Sequence, residues 1–181
     1  MKTSLITPCE EIKAQLMCVG NLVNAFQKKE PAALGHYIDW LSITEETLKK
    51  FHCSIASSFA AIKAELLAFQ YTSGSRKEKK QQQHHFALQS IASGQAILLE
   101  KQQELEAKIE QVRLVLKQLI EVARQAGLLT LQPNQRIHDF MEGFLIQLQR
   151  HEQIGATVNN AIATIGRFDV LRLLAEEIEF T

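Results

Sequence analysis

The longest hydrophobic pattern in this sequence runs from Leu88 to Ala126, at alternating spacings of three and four residues. It consists of Leu88, Ile91, Gln95, Leu98, Gln102, Leu105, Ile109, Val112, Leu116, Leu119, Ala123 and Ala126. This spacing places all of these positions on one face of an α-helix, and a period of about 3.5 residues favours coiled-coil-like packing. A helix of roughly 50 residues would be about 75 Å long, which is long for a globular protein, so we expect an elongated bundle.

Three further segments have the same spacing: Cys9 to Phe26, Leu34 to Phe69 and Ile137 to Ile165. No stretch alternates between apolar and polar residues over the length of a strand, so we expect no sheet. We predict an all-α fold in a single elongated domain over residues 1–181. It would be an antiparallel, up-down-up-down bundle of four long helices with a short fifth helix at the C-terminus. The predicted helices cover about residues 8–30, 31–72, 75–126, 134–166 and 169–179.

Capping residues and helix breakers support these boundaries. Thr7 and Glu10 have the spacing of a capping box, and Gly127 is placed to stop the long helix. The last stripe loses its phase near Gly166, where we expect a break followed by Asp169 as an N-cap. Proline is favoured in a first helical turn, and a long helical pattern follows each of Pro8, Pro31 and Pro133.

Polar residues interrupt the stripes at positions that an antiparallel bundle would bring together. If the chain turns back near Gly74, the residue numbers of any two residues that face each other across the second and third segments add up to roughly 146–147. Two polar layers are then predicted, one of Glu45, Gln102 and Asn159, the other of Cys9, His52 and Gln95. Such layers lower stability but fix the register of packed helices, so we interpret them as structural.

Charge and cysteine content limit the class of protein. Twenty basic residues balance twenty acidic ones, which argues against a general nucleic-acid or membrane-surface binder and leaves only a local basic patch. Three cysteines with no C-x-x-C motif favour a reducing compartment. No signal peptide and no stretch of 18 apolar residues is evident, so we expect a cytoplasmic protein. A non-classical secretion signal would escape this test.

Motifs for catalysis, cofactors or metal are missing from the sequence. There is no nucleophile elbow, phosphate-binding loop or dinucleotide fingerprint, so we expect no enzyme and no cofactor. No histidine follows a glutamate at the spacing of a di-iron bundle. His138 with Glu142, and Cys9 with His52, are single pairs that fall short of a metal site.

The best-localised charged feature is a basic stretch at the predicted hairpin end. Four of the five residues at positions 76–80 are basic, and two histidines follow. This candidate anion-binding tip consists of Arg76, Lys77, Lys79, Lys80, His84 and His85. No aromatic residue is interleaved with these charges to stack on nucleic-acid bases. The predicted register also places the acids Glu176, Glu177 and Glu179 beside the tip, so we expect intramolecular pairing to neutralise much of it.

Apolar residues beside the main stripes, such as Trp40 and Ile43, would form a groove for a partner helix if they were exposed. The favoured hypothesis is therefore a non-catalytic adaptor, scaffold or assembly subunit that binds protein partners or self-associates. The alternative is a binder of anionic membrane lipid or nucleic acid through the basic tip. A third hypothesis is metal or small-ligand binding in a polar layer. A secreted bacterial effector also fits, because effectors need no shared motif.

Overall fold

The helical patterns become seven α-helices in a computed structural model, which describes residues 4–71, 73–129 and 135–178. The helices are α1 (Ile6–Gln27), α2 (Ala33–Lys50), α3 (Ala56–Ala68), α4 (Arg76–Gln125), α5 (Ile137–Arg150), α6 (Gly155–Ile165) and α7 (Arg167–Glu177). One turn of 3-10 helix, Phe69–Tyr71, follows α3. These residues contain no strand, and the predicted all-α fold class is confirmed.

The chain divides into two compact units. The N-terminal unit comprises Pro8–Gln103, and the C-terminal unit comprises Glu104–Thr181 together with Met1–Thr7. Helix α4 contributes its first half to the N-terminal unit and its second half to the C-terminal unit. The prediction of a single domain over residues 1–181 stays a prediction.

The single helix predicted over residues 31–72 is wrong, because α2 ends at Lys50 and α3 begins only at Ala56. His52 adopts a left-handed backbone conformation with φ of 54°. The N–H of His52 donates to the carbonyl of Lys49, and the N–H of Cys53 donates to that of Leu48, each at 2.9 Å. These two bonds form a Schellman motif, which satisfies the last carbonyls of α2 and turns the chain back.

The single helix predicted over residues 134–166 is also wrong. Helix α5 ends at Arg150, and His151 is extended with ψ of 125°. The chain then bends so closely that a Cβ atom on Gly155 would lie 2.3 Å from the backbone oxygen of Gln149. The break near Gly166 is confirmed, since α6 ends at Ile165 and Gly166 has φ of 94°. Gly127, with φ of 69°, lies just beyond the end of α4, as predicted.

The start of α1 is capped differently from the prediction. Thr7 is not the N-cap, because the helix begins at Ile6 and the Ser4 hydroxyl accepts a hydrogen bond from the N–H of Thr7 at 3.2 Å. The carboxylate of Asp169 accepts from the N–H groups of Leu5 at 2.6 Å and Ile6 at 2.9 Å. Asp169 was predicted to cap its own helix, but it lies inside the first turn of α7 and caps α1 instead.

Each unit has its own core. In the N-terminal unit, the Tyr37 ring stacks on Trp40, and the Trp40 and Phe59 rings form a T-shaped pair with 5.7 Å between their centroids. A Cβ atom on Gly94 of α4 would lie 3.2 Å from the Trp40 ring, so this glycine allows the close approach of the indole. In the C-terminal unit, Phe144 and the fully buried Leu145 of α5 pack with residues of α4, α6 and α7.

Candidate anion-binding end of the N-terminal unit

The basic stretch lies at the start of α4, in the first turns of the helix. Ser75 and Glu78 form a capping box: the N–H of Ser75 donates to Glu78 Oε2 at 2.7 Å, and the N–H of Glu78 donates to Ser75 Oγ at 3.3 Å. The hydrogen bond from the Ser75 N–H holds the pKa of Glu78 below its ordinary value. The capping box therefore fixes where the helix starts, and it uses the one carboxylate among positions 76–80.

Side-chain contacts bring two other parts of the unit against this end of α4. The Phe26 ring, near the end of α1, lies edge-on to His84 with 4.9 Å between the ring centroids. On the other side, Lys79 Nζ donates to the backbone oxygen of Gln70 at 3.0 Å, and Gln83 Nε2 donates to that of Leu66 at 3.3 Å. The turn after α1 and the end of α3 thus flank the basic turns of α4.

Two open clefts lie along the basic turns. The first has a volume of about 490 Å³ and is lined by Leu34, Gln70, Gly74, Arg76, Lys79, Lys80 and Gln83. The second has a volume of about 550 Å³ and is lined by Lys29, Glu30, Pro31, Ala33, Leu34, Lys77, Lys80, Gln81 and His84. Leu34 and Lys80 line both clefts, so the two concavities are neighbours.

The cations of this end are not neutralised by nearby carboxylates. Arg76, Lys77 and Lys80 are exposed, and none of them forms an ion pair with any residue in the described part of the chain. Among the described residues, Glu30 is the single acidic one that lines either cleft. Positive charge therefore exceeds negative charge at this surface without counting His84.

The predicted pairing of the tip with the C-terminal acids is wrong for the two acids that the structure describes. Arg113 Nη2 lies 2.8 Å from Glu176 Oε2, and Arg113 also pairs with Glu177. Lys117 Nζ lies 3.4 Å from Glu177 Oε2. Glu179 lies outside the described residues. The register arithmetic failed because it assumed unbroken helices, whereas the second and fourth segments each fold back.

The structure adds three residues that the sequence did not assign to this surface. Lys29 comes from the turn after α1, where it has a left-handed φ of 55°, and Leu34 comes from the first turn of α2. Tyr71 ends the 3-10 turn beside Gln70 and is 89% exposed. A tyrosine just before the Ser-Gly-Ser turn was a signal for an aromatic side chain at this end, whereas nothing in the sequence places Lys29 there. His85 is exposed, as expected of a tip residue.

Neither predicted polar layer is complete in the core, because Asn159 of the first layer and His52 of the second are exposed. Glu45 instead pairs with Lys49 on its own helix and with Lys63 on α3. Asn159 is exposed and accepts a hydrogen bond from Gln149 at 2.8 Å. Of the second layer, Cys9 is buried and Gln95 half-buried, but His52 is exposed in the turn after α2. Gln102 is half-buried near the middle of α4. Broken helices again explain the difference, because a break of a few residues changes every facing pair beyond it.

A second surface lies between α1 and α2. Its cleft has a volume of about 340 Å³ and is lined by Gln15, Cys18, Asn21, Leu22, Ala25, His36, Asp39, Trp40 and Ile43. Trp40 Nε1 donates to the backbone oxygen of Gln15 at 3.1 Å, which orients the indole along the edge of the cleft. Ile43 is 52% exposed there, whereas Tyr37 is fully buried. Part of the widened stripe of α2 is therefore accessible.

Within residues 4–71, 73–129 and 135–178, no three His, Cys, Asp or Glu side chains are grouped so that they could hold a metal ion. The helices of that part of the chain include none with the length and apolar character needed to cross a membrane. No protein-family model, curated protein or solved structure matches this chain.

Proposed function

We propose that this chain is a non-catalytic interaction protein that attaches to a phosphate-rich anionic membrane surface through the basic end of its N-terminal unit. The observation that supports this most directly is the pair of adjacent clefts whose cations have almost no acidic partners. The cytoplasmic leaflet is a fitting target, because its anionic lipids attract basic side chains. An odd count of three cysteines with no C-x-x-C motif is in keeping with that reducing compartment.

A membrane surface fits this end better than a nucleic-acid strand. The cations occupy two turns of one helix and a single neighbouring turn, whereas a strand needs a longer basic track. Tyr71 is the one strongly exposed aromatic side chain described near these cations, and successive bases need several such platforms. A single exposed tyrosine beside lysines is typical of residues at the membrane–water interface.

Sedimentation with vesicles tests this proposal. The protein should pellet at low salt with vesicles that contain phosphatidylserine and stay in solution with phosphatidylcholine alone. Each cation near an anionic leaflet contributes about 1 kcal/mol, so the double substitution Lys77→Glu and Lys80→Glu should weaken binding by at least about 30-fold. Raising the salt concentration should weaken the binding of the unmodified protein.

A matched control changes the same charge elsewhere in the same unit. Lys13 and Lys50 are exposed on α1 and α2 and line neither cleft, so Lys13→Glu with Lys50→Glu should leave most binding intact. Equal losses in the two double variants would show a response to net charge alone and would contradict the proposal. Binding to a single-stranded oligonucleotide without binding to anionic vesicles would also contradict it.

For the packing of the N-terminal unit, we propose an antiparallel bundle of α1, α2, α3 and the first half of α4. The contact of Trp40 with Phe59, and the hydrogen bond of 2.8 Å that Tyr37 donates to Ser90, support this arrangement. It would be a shorter bundle than the four long helices predicted from the sequence.

The exposed part of the cleft between α1 and α2 supports a second candidate function, the protein-partner or self-association role of an adaptor. Ile43 would be the apolar contact at its edge. Light scattering over a range of concentrations should then show a mass above that of the monomer, and Ile43→Lys should reduce it. Ile146→Lys, on α5, is the control, since Ile146 is also an exposed isoleucine. A monomer at all concentrations would contradict self-association.

A further inference from the structure

We propose that the two clefts form one site for an organic bisphosphate, with Lys80 shared between its two phosphate groups. This inference rests on the proposed function and gives the anionic ligand a chemical class. The position of Lys80 is the main reason. It lies four residues after Arg76 and three after Lys77, and residues at these spacings are neighbours on a helix surface. Lys80 therefore lies between the two rows of side chains that line the clefts.

Each cleft has cations of its own in addition to Lys80. The first has Arg76 and Lys79, and the second has Lys29 and Lys77. A single phosphate carries a charge of about −1.5 to −2 and would match the cations of only one cleft. Two phosphate groups on one small molecule would match both sets, and Lys80 would be within reach of either. Arg76 offers a planar, forked donor, whereas the lysines act as point charges.

The boundary between the clefts is apolar. Leu34 is half-buried, lines both clefts and has Pro31 and Ala33 beside it in the second one. A carbon ring or short chain that joins two phosphates would contact this surface without leaving a polar group unpaired. Inorganic diphosphate offers no such carbon surface, so an organic spacer fits better. The headgroup of a bisphosphorylated lipid and a free sugar or polyol bisphosphate share this chemistry.

Titration of the whole protein with inositol bisphosphate and inositol monophosphate tests the site. The bisphosphate should bind at least tenfold more tightly. Lys80→Met should remove most of this preference, because it affects both phosphate groups. Arg76→Met and Lys77→Met should each weaken bisphosphate binding while leaving monophosphate binding in the other cleft. Lys13→Met is the control and should change neither ligand's affinity, and the circular dichroism of every variant should show the same helix content.

Vesicles separate this inference from the proposed function. Vesicles of equal surface charge are prepared with phosphatidylinositol bisphosphate or with phosphatidylserine. Stronger binding to the bisphosphate vesicles supports both proposals. Equal binding to the two kinds of vesicle, with the free inositol phosphates indistinguishable, overturns the bisphosphate site and leaves the membrane proposal standing. Tight binding of free inositol bisphosphate without binding to either vesicle supports the site and overturns the membrane proposal. An unaltered preference in Lys80→Met overturns the shared role of Lys80.

Discussion

The buried carboxylate of Asp169, in the first turn of α7, accepts a hydrogen bond of 2.9 Å from the backbone N–H of Ile6, the first residue of α1. The same carboxylate accepts from the N–H of Leu5 and, at 2.7 Å, from the hydroxyl of Ser4. The first N–H groups of a helix have no partner within the helix itself. Asp169 therefore supplies the acceptors for these N–H groups, although it lies more than 160 positions later in the sequence than Ile6.

Replacing Asp169 with alanine should lower the free energy of unfolding by about 2–3 kcal/mol, because the buried N–H of Ile6 and the partly buried N–H of Leu5 would lose their acceptor. Urea denaturation followed by circular dichroism measures this change. Asp139→Ala is the matched control: Asp139 also lies in a first helical turn, that of α5, but it is exposed. Its replacement should cost at most about 1 kcal/mol. Similar losses in both variants would contradict the capping role of Asp169.

Gly155 and Gly143 should respond in opposite directions to replacement by alanine. A Cβ atom at position 155 would overlap the backbone oxygen of Gln149 at 2.3 Å, so Gly155→Ala should destabilise the fold by about 2 kcal/mol or more. A Cβ atom at position 143 meets nothing within 4 Å, so Gly143→Ala should stabilise α5 by about 1 kcal/mol. Thermal unfolding of the two variants measures both changes. A stabilised Gly155→Ala variant would contradict this overlap and would show that the turn between α5 and α6 has room for a Cβ atom at position 155.

The sequence predicted the helical class and the breaks that have a chemical signal. Gly127 and Gly166 were recognised because glycine adopts positive φ at little cost. The break after α2 could not be found this way, since His52 holds a left-handed conformation without being glycine. The turn after α1 uses Lys29 in the same manner. At these two positions the left-handed turn therefore has no glycine to mark it in the sequence.

The candidate site was predicted only in part for the same reason. Its cations on α4 are consecutive in the sequence, so a local pattern was enough to find them. Whether acids neutralise them depends on the register of distant helices, and the unrecognised breaks in the second and fourth segments misplaced Glu176 and Glu177. Their contact with Arg113 lies between residues more than 60 positions apart. Lys29 reaches the site through the packing of Phe26 on His84, which no spacing rule predicts.

Burial raises the pKa of the Tyr37 phenol from 10.0 to about 12. The unfolded chain would release this proton near pH 10, whereas the folded protein retains it. The contribution of Tyr37 to stability is therefore present in full below pH 10 and is lost as the pH rises through about 12. Tyr71→Phe leaves Tyr37 as the only tyrosine, so the ultraviolet absorbance of its phenolate can be titrated directly. Phenolate formation well below pH 11 in that variant would contradict the burial of Tyr37.

Glu45 should link α2 to α3 through its two ion pairs. Its carboxylate lies 2.5 Å from Lys49 Nζ and 2.6 Å from Lys63 Nζ, and hydrogen bonds from these two lysines hold the pKa of Glu45 below its ordinary value. The stabilising contribution is therefore present above pH 4.5 and is lost as the pH falls through the lower, folded-state pKa. Glu45→Gln should reduce the urea midpoint at pH 7 and should flatten the acid side of the stability profile.

A double-mutant cycle with Lys63→Met isolates the pair that joins the two helices, because Lys49 remains as the partner on α2. The exposed pair of Glu104 and Lys108 on α4 is the control, and Glu104→Gln should change the midpoint much less. High salt should reduce the effect at Glu104 more than the effect at Glu45, whose side chain is 9% exposed. Additive effects of Glu45→Gln and Lys63→Met would show that this ion pair does not couple α2 to α3.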